Sequence, residues 1–169
     1  MNAPLSRTWD SQRQSRSRRL ERAASLGFGK EIPVDRIIEL LEAVIQPGDR
    51  VCLEGNNQKQ ADFLSESLAD CSPERINHLS MVQSVLALPS HVDLFERGLA
   101  NRLDFSFSGP QGARLAKLVQ EQRIEIGAIH TYLELFGRYF MDLTPNVALI
   151  AAQAADAEGN LYLGPNTED

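Results

Sequence analysis

Five short apolar segments recur along the chain at near-even spacing: Val51–Leu53, Ile76–Val82, Leu103–Phe107, Ile124–Ile129 and Val147–Ala152. Amphipathic stretches separate them. Ala61, Leu64 and Leu68 share one helical face, as do Leu115, Leu118 and Val119, and again Leu133, Phe136 and Phe140. Strand-like segments alternating with helical ones mean βαβ units, which close into a parallel sheet. Right-handed crossovers then place helices on both faces. The fold class is α/β, a mostly parallel sheet covered on its two sides. The apolar run Val147–Ala152 reads as a strand inside that sheet, because strands covered on both faces lose their polar alternation. Ahead of the first strand, Ile37, Ile38, Leu41, Val44 and Ile45 keep helical spacing until Pro47-Gly48 stops them.

In a parallel sheet the ligand edge lies beyond the C-terminal strand ends. Here those ends read Glu54-Gly55-Asn56-Asn57, Ser84, Ser108-Gly109-Pro110-Gln111-Gly112, His130-Thr131-Tyr132 and a final turn running to Asn166. All are small, polar or glycine-containing. The opposite edge, Pro47-Gly48-Asp49 and Ser72-Pro73-Glu74, reads as ordinary connections. Gly55-Asn56-Asn57 joins a strand to a helix, so its free N–H groups can hold an anion or a developing oxyanion. The plainer reading is a tight turn with an asparagine cap. His130 can donate a hydrogen bond or act as a base, or be a hydrogen-bonded structural residue. Glu54 is a possible nucleophile or base, or an exposed loop acid. His78 and His91 lack partners at metal-ligand spacing, so no metal is expected. Gly27-Phe28-Gly29 follows no strand and precedes Pro33, which removes a dinucleotide fingerprint.

The chain has 169 residues, the size of one domain with a substantial core, and a net charge of −6. That charge is unevenly spread. Residues 1–30 carry seven basic and two acidic side chains, net +5, which leaves −11 on the remainder. A basic arm can bind nucleic acid or an acidic partner, or be a solvated or docking segment. No aromatic stacking pattern accompanies the arginines, which disfavours nucleic acid. With few large apolar residues, residues 1–30 are expected to be a mobile arm and 31–169 the folded part. No apolar run is long enough to span a membrane, and the N-terminus has no signal-like apolar core. Cys52 and Cys71 do not suggest a bridge, and a reduced cytoplasmic setting is expected.

The segment VALIAAQAADAEGNLYLG resembles the strand–Ala-Asp-x-x-Gly-Asn–turn pattern of the coenzyme A transferase superfamily. Within it, EGNNQKQADFLSESL, SHVDLFERGLANRLDFSFSGPQGARLAKL, IGAIHTYLELFGRYFMDLTPNVALIAA and GNLYLGPNTED resemble the malonate decarboxylase α-subunit family, over residues 31–169. The resemblance implies the first of two related α/β halves, truncated at its C-terminus. It implies exchange of acetyl for malonate on a carrier-protein thioester, with release of acetate. The implied partners are the acyl carrier protein, the other decarboxylase subunits, malonate and the acetyl thioester. No tightly bound cofactor is implied; the carrier presents a CoA-like phosphopantetheine group. A covalent glutamate, where the superfamily uses one, would lie beyond Asp169, so this stretch alone is expected to be inactive. By position on the ligand edge, Gly55, Asn56, Asn57, Gly109, Pro110, Gln111, His130, Tyr132, Gly164 and Asn166 are the candidate substrate- and thioester-binding residues. An acyl-CoA hydrolase, a CoA transferase for another acid, and a non-catalytic carrier- or subunit-binding piece are the alternatives.

Overall fold

The computed structural model describes residues 9–55 and 61–164. Helix α1 (Trp9–Ala24) leads through a 3-10 turn (Val34–Arg36) into α2 (Ile37–Val44). Then β1 (Arg50–Leu53), α3 (Asp62–Ala69), β2 (Leu79–Val85), α4 (Ser90–Glu96) and β3 (Ala100–Phe107) alternate. A second 3-10 turn (Gly109–Gln111) precedes α5 (Gly112–Gln120), β4 (Glu125–Ile129), α6 (Tyr132–Met141) and β5 (Val147–Leu149). A small antiparallel hairpin, β6 (Ala154–Ala155) and β7 (Leu161–Tyr162), follows.

The main sheet has five parallel strands in the order β4-β3-β2-β1-β5. Steps β1 to β4 all run in one direction, so crossovers of one hand put α3, α4 and α5 on one face. The packing agrees. Leu68, Phe95, Leu115 and Leu118 join Leu41 of α2 and the strand residues Val51, Leu53, Met81, Leu103 and Phe105 in one core. Burying each such side chain contributes roughly 1.5–3 kcal/mol. The step from β4 back to β5 reverses direction, which sends α6 to the other face. There Leu135, Tyr139 and Leu143 pack on Val82. The α/β, parallel, doubly covered fold read from the sequence is the fold of the chain.

Four details differ from that reading. Strand β5 is an edge strand of three residues, with only Leu149 buried, rather than a strand inside the sheet. The return crossover makes it outermost, and its apolar run also serves another purpose: Ala148 and Ile150 line a cavity. Strand β2 starts at Leu79, because His78 has φ +55° and cannot extend the strand. Ile76 instead fills the core from the connection, fully buried. On α6 the face expected to pack is the uncovered one: Leu133, Phe136, Phe140 and Met141 are exposed, and Leu135 and Tyr139 turn inward.

The fourth detail is the basic arm. Residues 9–24, expected to be mobile, form a helix attached to α2 by guanidinium groups. Arg19 forms a fork on Asp49, with Nη2 2.9 Å from Oδ1 and Nη1 on Oδ2. Arg19 Nη1 also donates to Val44 O (2.7 Å), and Arg22 Nε to Ala43 O (2.7 Å). These are carbonyls of the last turn of α2, which have no partner within their own helix and sit at its negative end. Two arginines three residues apart thus cap the C-terminus of α2.

Candidate functional site

Strand order reverses at β1: β2 lies on one side of it and β5 on the other. The C-terminal ends of the strands at such a reversal open a crevice. A cavity of about 530 Å³ occupies that place on the α6 face. Its floor is Cys52, Glu54, Gly55, Ser84, Ala148 and Ile150, from three adjacent strand ends. Leu135, Phe136 and Tyr139 of α6 form one wall, and Leu161 and Leu163 of the hairpin arm the other. The lining is mainly apolar with a few polar atoms, the usual make-up of a small-molecule site.

The polar atoms differ in their engagement. Cys52 Sγ lies 3.4 Å from the Tyr139 hydroxyl. Glu54 Oε2 accepts the Ala151 N–H at 2.6 Å, and the Glu54 N–H donates to Leu149 O at 3.0 Å. The Glu54 side chain therefore fixes the chain leaving β5, across the mouth of the crevice. Ser84 is different. It is buried, and its hydroxyl has no hydrogen-bond partner among the described residues. An unmade buried hydrogen bond costs about 1–3 kcal/mol. That hydroxyl lies on the cavity floor.

The hairpin that closes the cavity is built on Asp156. Its Oδ1 accepts the Asn160 N–H (2.8 Å), and its Oδ2 accepts Asn160 Nδ2 (2.8 Å) and the Tyr162 hydroxyl (2.9 Å). These donors, Asn160 first, pull the Asp156 carboxyl down to about 2. Gly159 supplies the turn's positive φ of +83° and donates to Asp156 O at 2.9 Å. The Ala-Asp-x-x-Gly-Asn pattern is therefore a turn-forming device that presents Leu161 and Leu163 to the cavity. Lys30 Nζ donates to Glu158 O and ties the hairpin tip to the N-terminal part.

Of the residues singled out on the ligand edge, Gly55 lines the cavity. Gly164 follows Leu163 directly and sits beside Gln153. Gly109, Pro110 and Gln111 form the 3-10 turn before α5, away from the cavity lining. Gly109 has φ +52° and packs under Leu86 O, where a Cβ would fall at 3.0 Å. That glycine is explained by packing. Tyr132 opens α6 behind Thr131, whose side chain accepts the Glu134 N–H and caps the helix. Asn56, Asn57 and Asn166 lie outside the described residues.

His130 is not in the cavity lining either. Its ring is fully buried, with Nε2 3.4 Å from Asp104 Oδ1 and Nδ1 3.6 Å from Glu134 Oε1. Asp104 in turn faces Arg102 Nε at 3.6 Å. Gly127 makes room for this carboxylate, since a Cβ there would lie 2.5 Å from its oxygens. His130 thus lies buried beside Asp104, with the more exposed Arg102 and Glu134 at its edges, where β3, β4 and α6 meet. Sequence reasoning missed Cys52, Tyr139, Phe136, Leu161 and Leu163 as lining residues. Strand parity offered a signal for Cys52: with Val51 and Leu53 in the core, Cys52 must face the other side.

The family described as malonate decarboxylase, alpha subunit, transporter matches residues 8–169. The acetyl-S-ACP:malonate ACP transferase of Malonomonas rubra is 53% identical over 164 residues, 96% of this chain and 30% of that protein. The solved α subunit of malonate decarboxylase from Acinetobacter baumannii superposes with a TM-score of 0.93 at 50% identity, over 96% of this chain and 30% of that one. A Pseudomonas malonate decarboxylase hetero-tetramer in complex with malonate contains a chain that matches with a TM-score of 0.93 at 53% identity, over 99% and 30%. This chain therefore spans about a third of the length of the relatives it matches. The chain belongs to the malonate decarboxylase α-subunit family.

Proposed function

We propose that the protein containing this chain exchanges acetyl for malonate on a carrier-protein thioester, releasing acetate, and that this stretch builds one wall of the site. The observation that carries this reading is the 53% identity to an acetyl-S-ACP:malonate ACP transferase over 96% of the chain. The cavity at the strand reversal supports the placement. A thioester arm is slender, mostly apolar, and carries amide and carbonyl groups. The Leu135, Phe136, Ile150, Leu161 and Leu163 walls suit its apolar flank. The Ser84 hydroxyl is a donor in search of an acceptor, such as a carbonyl of the arm or a carboxylate. Gly55, buried at the end of β1, lets the backbone approach the acyl group. When the carrier is docked, its phosphopantetheine group supplies the sulfur that bears the acyl group; this chain contributes the groove and donors.

In the same reading Asn56, Asn57, Gly164 and Asn166 remain candidate binding residues. Gly109, Pro110, Gln111, His130 and Tyr132 act at most indirectly, through the stability of the sheet edge. The partners are the acyl carrier protein and further decarboxylase subunits, in the cytoplasm. Among the described residues no helix is long and apolar enough to cross a membrane.

The test is malonate incorporation into acetyl-carrier by the full-length protein, compared with acetate, propionate and succinate. Preferential malonate exchange with stoichiometric acetate release supports the reading. Equal use of other acids turns it into a broader CoA transferase, and release of acid without acceptor turns it into a hydrolase. The 169-residue chain alone is expected to give no turnover; robust exchange by it would place the whole catalytic apparatus here.

A further inference from the structure

Another cavity lies at the opposite end of the sheet. A groove of about 510 Å³ runs between α1 and the loop that enters β5, lined by Ser11, Arg13, Ser15, Arg16, Thr144 and Asn146 among others. Its lining mixes polar groups with the apolar surface of Pro145 and of the side-chain stems, and it is separate from the crevice at the strand reversal.

The arginines and lysines of the described residues are otherwise engaged. Arg19 and Arg22 hold α2. Arg18 donates to Gln14 O, Lys30 to Glu158 O, and Arg50 to Asp142 O. Arg36, Arg75, Arg97, Arg102, Arg114 and Arg138 each face a carboxylate, as do Lys117 and Arg123. Arg13 and Arg16 alone have neither an ion pair nor a hydrogen bond among the described residues, and both line this groove. They stand three residues apart, on one side of α1. Asn146 Oδ1 accepts the Arg50 N–H, which leaves its amide NH₂ as a further donor.

We propose that this groove docks an acidic segment of a partner protein. Its lining on α1 runs from Ser11 to Arg19, about 12 Å of helix, which is longer than a single phosphate needs. Helix α1 is polar almost all round; among its residues of described burial, Leu20 is the large exposed apolar side chain. A helix of that composition is stable where it bridges two bodies. It already touches one, through Arg19 and Arg22. A nucleic acid fits less well, because among the described residues no aromatic side chain lines the groove, and the chain beyond residue 30 carries −11. Carboxylates spaced along a peptide match two guanidiniums flanked by the Ser15 hydroxyl and the Asn146 amide.

The test uses the whole protein and four probes at low salt: a fluorescent glutamate-rich peptide, its lysine-rich counterpart, inorganic phosphate and oligothymidine. The glutamate peptide is expected to bind, to weaken about tenfold in the Arg13→Gln/Arg16→Gln double variant, and to weaken with added salt. Arg18→Gln, on an arginine outside the groove, should leave its affinity unchanged. Both altered side chains are exposed, so the double variant should keep the parent's circular dichroism and melting temperature. The proposal is overturned if the peptide does not bind, or if the double variant binds it as the parent does. Tighter binding of phosphate than of the peptide would make the groove a small-anion site, and tighter binding of oligothymidine a nucleic-acid site; either result also overturns it.

Discussion

At the scale of single residues, an unmet hydrogen bond and an over-met one bear on the same cavity. Ser84 has a buried hydroxyl with no partner. Ser84→Ala removes an unsatisfied group and a small volume, so its stability should stay within about 1 kcal/mol of the parent. Its effect should fall on ligand use, as a several-fold rise in KM for the thioester with a smaller change in kcat. Equal melting and equal kinetics would show that nothing binds there. Gly55→Val is the harsher probe of the same floor. It should cut transfer by orders of magnitude, as roughly 10²–10³ is lost with an oxyanion donor. Near-normal transfer would make the loop an ordinary turn.

Asp156 gives a pH dependence whose sign can be worked out. Its donors hold the folded carboxyl at about 2, below the ordinary aspartate value near 3.9. The hairpin's stabilisation is therefore fully present above about 4 and is lost as pH falls through about 2. Nuclear magnetic resonance of the Asn160 amide should report an intact turn at neutral pH that opens below about pH 2. In Asp156→Ala the turn should already be open at neutral pH. An Asn160 amide unchanged by the substitution would remove Asp156 from its role in the turn.

At the scale of elements, α1 depends on charge where the other helices depend on apolar contact. Arg19 and Asp49 are both largely buried, with side chains 11% and 8% exposed. Removing one partner of such a pair leaves the other charge uncompensated, at a cost of about 3 kcal/mol or more. Arg19→Ala should therefore release α1 while the sheet persists. Hydrogen exchange would show it: fast exchange confined to residues 9–24, with β1 to β4 as slow as in the parent. Uniformly faster exchange would mean that α1 is part of the cooperative core. Gly127→Ala tests a different joint. Its new methyl would meet the Asp104 carboxylate, itself hemmed in by His130 and Arg102, and overpacking of this kind costs about 1–3 kcal/mol. The check is a chemical-denaturation midpoint.

At the scale of the whole molecule, one side of the sheet is finished and the other is not. On the first, α2 to α5 enclose a single continuous core. On the second, α6 covers the sheet with Leu135 and Tyr139 but leaves Leu133, Phe136, Phe140 and Met141 in solvent. Phe136 and Phe140 meet edge to face at 5.5 Å, and Phe136 also lines the cavity, so the exposed patch runs into the site. A patch of that kind marks a surface that something covers. The isolated 169-residue chain should accordingly bind a hydrophobic dye and self-associate at micromolar concentration. Phe136→Ser combined with Phe140→Ser should reduce both effects without unfolding the sheet. A monomeric, dye-silent parent would contradict this.

The periodicity of apolar residues was enough to determine the α/β class and the parallel sheet, and it picked out the sheet edge at which a cavity opens. Those follow from local spacing and from the handedness of crossovers, which any chain must obey. The Gly55 end of β1 was legible for the same reason. What lay beyond local pattern was decided by which strand finds which neighbour. The return of β5 to β1 made a buried-looking run into an edge strand and created the crevice in one step. It also put Cys52, Ser84 and Tyr139, far apart in sequence, around one cavity. His130 looked like a site residue because it ends a strand, but strand ends do not say which way a ring turns; Asp104, 26 positions earlier, takes it into the sheet. On α6 the helical period picked out the face of Leu133, Phe136 and Phe140, whereas the residues that pack are Leu135 and Tyr139. That choice rests on the shape of the sheet beneath, since only contacts between distant segments distinguish one apolar face from another.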